Sequence, residues 1–351
     1  MARGRIGQGG RGWVFGRLAL LLVLCLGGLG GGLNRPQGAA AAPIITEIGV
    51  GAAAFSTNPG SQIVAAPDGT LWFTLPSIGS IGRISPAGVQ DYFHLPATQR
   101  RPQGMAVGAD GAIWFTLVGQ TTNNPAQPTE RYTDTIGRIT SDGVITEFPL
   151  PGLETNGPLI SITNGPDGAL WFVASSGPAL TPVPFNNAKI GRITTAGALT
   201  LFPVDMATAP AQITAGPDGA LWFTQDTSYI GRIATDGTIT SYFTDYSLRP
   251  RDIVAGPDGA LWFTTSIELI SPPGRMAAIG RMTTAGAFTH TPLPGATALP
   301  TDIAPGPDGA LWFTEVGDQF NGPGAIGRMT TANAFTEYPT AATTPYGIVA
   351  G

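Results

Sequence analysis

Six copies of one short stretch determine what this chain can fold into. The stretch reads Gly-Pro-Asp-Gly-Ala-Leu-Trp-Phe-Thr at 216–224, and close variants recur along the chain. The Trp-Phe pairs of the six copies begin at positions 72, 114, 171, 222, 262 and 312. A repeat at this spacing is typical of an array of equivalent structural units, so its meaning must be settled before any single residue is interpreted.

Each repeat is predicted to form four short strands, A to D. In the fourth copy we expect them at 212–215, 220–224, 230–234 and 238–243. Pro-Asp-Gly suits the tight turn between A and B, because Pro presets φ, Asp bonds its own backbone and Gly accepts a positive φ. Strand B is apolar on both faces, so it must be covered from both sides, as in blades stacked around an axis. The sequence therefore predicts an all-β propeller.

Partial repeats at the two ends suggest the number of blades. Residues 45–48 match a strand D ahead of the first full repeat, and a partial seventh repeat starts at 345. This order predicts a seven-bladed β-propeller whose last blade is incomplete at the C-terminus, because its strands B and C are missing. A closed six-bladed ring with two spare strands is the alternative.

The first 42 residues form a separate segment. Four arginines precede the apolar run 18–26, and small residues follow at 39–42. This pattern predicts a secretory signal peptide, and its apolar core is shorter than the roughly 20 residues that a spanning helix needs. We expect residues 1–42 to be signal peptide and linker, with cleavage near Ala41. Residues 43–351 are then a secreted or extracytoplasmic propeller.

The charge balance argues against two classes of partner. The chain has 18 Lys and Arg against 23 Asp and Glu, and the leader holds five of the arginines and no acid, which leaves a mature net charge of about −10. Such a charge disfavours nucleic acid and anionic membrane. We expect a monomer whose partner is a small molecule, a peptide or another extracellular ligand.

Insertions indicate one face of the propeller. The B–C connections differ widely in length and run 75–80, 117–135, 174–189, 225–229, 265–278 and 315–325. B–C and D–A connections emerge on the same face, and repeat proteins often bind through the face that carries insertions. We place the binding site on this face, and neutral variation of exposed loops is the alternative.

Polar residues at the start of strand A are the first site candidates, because they would lie at the mouth of the central channel. They are Gln62, Gln103, Gln212, Arg251, Asp252, Asp302 and Tyr346. A ligand site or a water-lined channel would explain them equally. Glu315, directly after a Trp-Phe-Thr, is a candidate metal ligand or base, or else a solvated loop carboxylate. His94 and His290 fall in the outer strands D and are expected to be exposed.

The Arg of a recurring Ile-Gly-Arg motif is present in all six repeats, at 83, 138, 192, 232, 281 and 328. A residue that every blade needs equally is architectural rather than catalytic. We expect each of these arginines to tie neighbouring blades through backbone carbonyls or a turn Asp.

The repeat, taken with Ile-Thr-Glu-Phe-Pro-Leu-Pro at 145–151, resembles the virginiamycin B lyase (streptogramin lyase) family over essentially all of 44–351. The resemblance implies a seven-bladed propeller that linearises a cyclic depsipeptide antibiotic by elimination at its ester, with Mg²⁺ and a histidine base. The family's two histidine positions are Thr301 and Tyr346 here, and one glutamate position is Thr344. A second glutamate would lie beyond Gly351. Neither Thr nor Tyr is an effective base near neutral pH.

The functional expectation is therefore a secreted propeller that resembles these lyases, lacks their catalytic histidines and binds a ligand or partner. No cofactor is certain, and Mg²⁺ is implied by the resemblance alone. The alternative is a metal-dependent lyase or hydrolase that acts on a cyclic depsipeptide or a similar ester through a rearranged site, such as Glu315 with Asp302.

Overall fold

The computed structural model describes most of the repeat region and only short stretches of residues 1–61. The described residues are 20–22, 46–48, 62–96, 100–119, 134–153, 158–175, 188–204, 209–225, 228–270, 273–293, 299–317, 324–340, 345 and 347–350. These ranges contain strands and one turn of 3-10 helix, Pro76–Ile78. No helix in them is long and apolar enough to span a membrane.

The strands form one two-stranded ribbon and six four-stranded antiparallel blades. The ribbon pairs β1 (Leu20–Leu22) with β2 (Thr46–Ile48). Blade 1 comprises β3 (Ile63–Ala65), β4 (Leu71–Leu75), β5 (Ser80–Ile84) and β6 (Gln90–His94); blade 2 comprises β7 (Arg100–Val107), β8 (Ile113–Gly119), β9 (Thr135–Ile139) and β10 (Ile145–Pro149); blade 3 comprises β11 (Leu159–Asn164), β12 (Leu170–Ala174), β13 (Lys189–Ile193) and β14 (Leu199–Pro203). Blade 4 comprises β15 (Pro210–Ala215), β16 (Leu221–Gln225), β17 (Tyr229–Ile233) and β18 (Ile239–Phe243); blade 5 comprises β19 (Leu248–Ala255), β20 (Leu261–Ile270), β21 (Pro273–Met282) and β22 (Phe288–Pro292); blade 6 comprises β23 (Leu299–Pro305), β24 (Ala310–Val316), β25 (Ala325–Thr330) and β26 (Phe335–Pro339).

The fold is a six-bladed β-propeller, and the prediction of seven blades, which the family resemblance also implied, is wrong. The described strands form six complete four-stranded blades, and Thr46–Ile48 belongs to none of them; in the full-length chain it pairs with Leu20–Leu22. Residues 347–350 form no strand. Ile348 packs against Trp312 of blade 6, and Val349 packs against Phe73 of blade 1. This segment therefore lies between blades 6 and 1.

The core lies between successive blades, as the twice-covered strand B predicted. Trp72 of blade 1 shares a cluster with Phe115 of blade 2, and Trp171 of blade 3 shares one with Phe223 of blade 4. All four rings are at most 2% exposed. Burying one such ring removes about 150–250 Å² from water, which stabilises the fold by roughly 4–6 kcal/mol before entropy is counted.

The Thr of Trp-Phe-Thr accepts a hydrogen bond from a backbone amide of strand A, next to the axis. Strand A shifts register just before its apolar run, for example between Pro210 and Ile213. The shift leaves one amide of strand A without a partner in the ladder. This amide donates to the Thr hydroxyl of strand B, as Gln212 N does to Thr224 Oγ1 at 3.1 Å. Equivalent bonds join Gln62 N to Thr74 and Asp302 N to Thr314. This bulge fixes which residues of strand A face the axis.

The recurring arginines bind the turn Asp, but mostly within their own blade. In blade 4, Arg232 Nε donates to Asp218 Oδ2 at 2.7 Å, and Trp222 Nε1 donates to Asp218 Oδ1 at 2.9 Å. Blades 2, 3, 5 and 6 repeat both bonds. We call this Asp–Trp–Arg arrangement the turn clamp. The expected tie between neighbouring blades occurs in blade 1, where Arg83 Nη1 donates to Ser141 O of blade 2 at 2.6 Å.

Candidate functional site

Four of the predicted axial residues occupy equivalent positions on the innermost strands. Gln62, Gln212, Asp252 and Asp302 each lie one residue before the Ile of strand A, and the last three lie at the register shift of their strand. Inner strands of successive blades contact each other from β3 to β23. The structure therefore brings these side chains to one axial ring, as expected. Gln103 lies one position earlier, because Gly104 holds the ring position in blade 2.

Several ring side chains bind the backbone of the next blade. Gln62 Oε1 accepts a hydrogen bond from Met105 N at 3.1 Å, and Asp252 Oδ2 accepts one from Ile303 N at 2.9 Å. Asp302 accepts one from the amide of Gly347. These residues thus join blades as well as line the axis. Either role requires a polar side chain, so the sequence pattern alone could not separate the two.

Ser161 is a ring residue that the sequence reasoning missed. Its Oγ accepts a hydrogen bond from Ile213 N of blade 4 at 3.3 Å, although it is almost fully buried. The signal was present in the repeat alignment, because Ser161 precedes Ile162 as Gln62 precedes Ile63. A small hydroxyl residue between apolar neighbours gave no separate reason to select it.

Asp252 and Asp302 form the electrostatic centre of the ring. Desolvation, and then the charge of Asp302, raise the pKa of Asp252 to about 8, although amides of Ile253 and Ile303 oppose the shift. Desolvation also raises the pKa of Asp302 to about 6, against the opposing bond from Gly347. Both side chains keep some surface on the channel, but the protein around them removes much of their hydration. Near neutral pH, the pair can both donate and accept a hydrogen bond.

Of the two positions where the family resemblance implies a histidine, the structure describes Thr301 only. Thr301 Oγ1 lies 2.7 Å from Thr314 Oγ1, and Thr301 O accepts from Thr264 Oγ1 of blade 5 at 2.7 Å. Thr301 is therefore engaged in the packing of blades 5 and 6. Tyr346 and Thr344 lie outside the described residues. Arg251 is exposed, and its carbonyl accepts from Thr224 Oγ1 of blade 4 at 2.7 Å.

The sequence suggested that Glu315 begins a B–C loop and could be a solvated carboxylate. The structure instead places it in a strand and away from solvent. It lies inside β24, paired with Pro300 and Ala325, and it is 0% exposed. Desolvation, and then the charge of Glu337, raise its pKa to about 8. Neither carboxylate oxygen has a hydrogen-bond partner in the described part of the chain. It is the most unusual acid in the described chain.

The insertion-bearing face is only partly described. Residues 120–133, 176–187 and 318–323 lie outside the described ranges, and so does the prediction that they form binding loops. In blade 5 the predicted loop 265–278 is largely a β-hairpin, because β20 and β21 remain paired out to Ile270 and Pro273. Paired strands therefore form a larger part of this face than the sequence indicated.

Both histidines lie on outer strands and are exposed, as predicted. The ring of His94 is 2.8 Å from Ser80 Oγ through Nδ1, and the ring of His290 stacks on Phe288 at 5.8 Å. In the described ranges, no group of three or more His, Cys, Asp or Glu side chains could hold a metal ion. Thr301 also offers Mg²⁺ no charged ligand. The described residues therefore do not fit the Mg²⁺ site that the resemblance implied.

Comparison with known proteins agrees with the repeat architecture. The model of the virginiamycin B lyase family matches residues 55–185 and 179–351. A virginiamycin B lyase of Nocardia farcinica is 33% identical over 112 residues, which cover 31% of this chain and 34% of that relative. The chain therefore matches about a third of that relative's length.

Two solved structures from Staphylococcus aureus are also similar. Selenomethionine-substituted virginiamycin B lyase is 32% identical with a TM-score of 0.63, covering 82% of this chain and 87% of that one. A catalytically inactive histidine-to-alanine variant of virginiamycin B lyase, solved with quinupristin, is 34% identical with a TM-score of 0.63, covering 83% and 89%.

Proposed function

Because the chain belongs to the virginiamycin B lyase family, we propose that it is a ligand-binding propeller that recognises a cyclic depsipeptide or a related peptide without cleaving it. Thr301 carries this proposal. At a position where the family resemblance implies a histidine, this chain has a hydroxyl group that is already bonded to Thr314. A Thr hydroxyl does not act as a base near neutral pH, whereas it fits well in a packed, non-reactive wall.

The polar groups near the axis suit an amide-rich ligand. Gln212 and Gln103 each offer both a donor and an acceptor, and burial raises the pKa of both Asp252 and Asp302, so that a protonated carboxyl can donate near neutral pH. A depsipeptide ring presents carbonyl acceptors and N–H donors, which these side chains can pair. We place the ligand at the axial mouth on the insertion-bearing face, where Arg251 is exposed.

The proposed location is outside the cytoplasm, on the basis of the signal peptide that the sequence predicts at 1–42. Its cleavage would remove Leu20–Leu22, the strand that pairs with Thr46–Ile48 in the full-length chain. The strongly acidic mature chain is also suited to a soluble ligand rather than to nucleic acid or an anionic membrane. N-terminal sequencing of protein recovered from the culture medium or periplasm would test the location. We expect a mature N-terminus near Pro43, and recovery of intact Met1 in the cytoplasm would contradict it.

A single titration separates binding from catalysis. The purified protein is titrated with a streptogramin B such as quinupristin by calorimetry, and the mixture is then analysed by mass spectrometry for linear product. We expect saturable binding, weakened in Gln212→Ala and unchanged in His94→Ala, with no linear product. Absence of binding would contradict the proposal. Metal-dependent linear product would instead establish the lyase or hydrolase alternative, and its loss in Asp302→Asn would assign the acid.

A further inference from the structure

Two polar side chains without partners are buried in the interface between blades 5 and 6. Glu315 of β24 is 0% exposed, and Ser266 of β20 is 1% exposed. Both carboxylate oxygens of Glu315 and the hydroxyl oxygen of Ser266 lack a hydrogen-bond partner in the described part of the chain. Buried polar groups in native proteins are almost always satisfied, so two such residues in one interface need an explanation.

The strand registers place Ser266 and Glu315 at the same height along the interface between blades 5 and 6. Thr264 Oγ1 reaches Thr301 O of blade 6, so this face of β20 points at blade 6. Ser266 lies two residues further along the same face, because the pairing of β20 with β21 is regular there. Thr301 follows Pro300, which is paired with Glu315. Glu315 shares its strand face with Phe313, which packs in one cluster with Trp262 of blade 5.

Other blades fill this position without an acid. Its occupants in blades 1 to 6 are Leu75, Leu117, Ala174, Gln225, Thr265 and Glu315. Leu117 packs in a cluster with Trp72 and Ile81 of the preceding blade. The fold thus requires nothing polar at this point. Glu315 is an addition to the repeat, and its role must be looked for in what a carboxylate binds.

A carboxylate in this environment needs a proton or a cation. An unpaired charge that is buried in protein is strongly destabilising, so the charged form of Glu315 requires a counter-ion. The site presents one negative charge and only oxygen ligands. An alkali cation would neutralise it, whereas a divalent ion would leave a buried positive charge uncompensated. We propose that Glu315 and Ser266 hold a buried alkali cation, Na⁺ or K⁺, that joins blades 5 and 6.

Proton and cation compete for the same oxygens. Burial raises the pKa of Glu315 to about 8, with a contribution from Glu337 of β26. The facing strands of blade 5 add Ala277 and Ile279 to the cluster around Phe313, and neither is titratable. On β23, Asp302 accepts its hydrogen bond from Gly347. The folded state therefore holds a proton that the unfolded state releases between its ordinary pKa of 4.5 and about 8. Without a cation, stability falls as pH rises through this window.

Thermal unfolding in matched salts tests the site independently of any ligand of the propeller. Wild-type protein is heated at pH 6 and pH 9 in equal concentrations of NaCl, KCl or N-methylglucamine chloride. At pH 9 we expect NaCl or KCl to raise the Tm by about 2–4 °C over N-methylglucamine. At pH 6 the three salts should give the same Tm. Comparison of NaCl with KCl identifies the preferred ion.

Three variants connect the effect to the two side chains. Glu315→Gln removes the charge while keeping the shape, so the salt difference at pH 9 should vanish. Ser266→Ala should reduce it. Glu337→Gln is the matched control, because it removes one exposed negative charge from the same blade and should retain the difference. The proposal is wrong if wild type shows no salt difference at pH 9, if Glu315→Gln keeps it, or if MgCl₂ gives the larger shift.

Discussion

Blade 1 and blade 4 contain the same turn and the same Trp, yet they hold them differently. In blade 4, Asp218 receives Trp222 Nε1 and Arg232 Nε, which together form the turn clamp. In blade 1, Asp68 accepts from Thr70 N, and Arg83 Nε donates instead to Asp91 at 2.8 Å. Among the described residues, blade 1 is the only blade without the clamp.

Ala66 of blade 1 gives a steric reason for this difference, and Thr70, which replaces Ala220, also bonds the Asp68 side chain. Gly216 opens the turn in blade 4, and a Cβ placed there would overlap both the Trp222 ring and the Asp218 carboxylate. Blade 1 has Ala66 at that position, with the same backbone bond across the turn. The methyl leaves no room for the clamp, so Asp68 turns outward. The comparison shows that the Gly before Pro-Asp-Gly is required by the side chains that close over it.

A second substitution gives the displaced arginine a partner. In blades 2 to 6 the residue paired with this arginine on strand D is Thr, at 146, 200, 240, 289 and 336. In blade 1 it is Asp91. Arg83 still lies over the Trp72 ring, with Cζ 5.6 Å from the ring centroid. The two changes in blade 1 are therefore coupled: one removes a carboxylate from the arginine, and the other supplies a new one.

The largest effect is expected from transferring the methyl group to a clamped blade. Gly216→Ala should lower the free energy of unfolding by about 1–3 kcal/mol, because the new Cβ must push the buried Trp222 ring or break its bond to Asp218. The reverse change in blade 1, Ala66→Gly, is the control and should change stability by less than about 1 kcal/mol. Urea denaturation of both variants gives the comparison. Equal effects would show that the clamp is not what excludes the methyl.

Removing the charge at the turn should have a smaller effect, again in blade 4 alone. Asp218→Asn weakens the bond from Arg232, and we expect a loss of about 1–2 kcal/mol. Asp68→Asn should stay within roughly 0.5 kcal/mol, because Asp68 is exposed and accepts its hydrogen bond from Thr70 N within the turn rather than from a Trp and an Arg. A loss of similar size in both blades would contradict the comparison.

The destabilisation caused by Asp218→Asn should depend on pH. Burial alone would raise the pKa of Asp218, but the bonds from Trp222 and Arg232 outweigh it and hold the pKa below its ordinary value of 3.8. The stabilisation is therefore fully present above that value and is lost as pH falls through the lower folded-state pKa. The Tm difference between wild type and Asp218→Asn should be large at pH 7 and should shrink towards pH 2.

The sequence was sufficient for the features that every blade repeats. The turn and the twice-covered Trp-Phe strand follow from residues that recur. The recurring Arg was expected to tie neighbouring blades, but in blades 2 to 6 it binds the turn Asp of its own blade. Features that occur at only one position in the chain were harder to predict. The seventh blade was inferred from matches at 45–48 and 345–351, but a strand match does not reveal its partner, and Thr46–Ile48 pairs with Leu20–Leu22.

The same limit applies to the candidate site. The ring positions Gln62, Gln212, Asp252 and Asp302 could be read from the repeat, but the bonds of Gln62 and Asp252 to the backbone of the next blade could not. The Trp-Phe-Thr motif predicts that strand B ends at Thr314, which puts Glu315 in the loop that follows. In the structure β24 continues to Val316, and this extension converts an expected solvent-exposed acid into a buried one.

The smallest effect tests whether the two changes in blade 1 are truly coupled. Asp91→Thr alone removes a partly exposed ion pair with Arg83, which is worth at most about 1 kcal/mol. In the double variant Ala66→Gly with Asp91→Thr, Asp68 has room to turn inward and Arg83 has no other acid to bind. The double variant should then be more stable than the sum of the single changes by about 0.5–1 kcal/mol. Strict additivity would mean that Arg83 did not return to Asp68, and that some residue other than Ala66 keeps blade 1 apart.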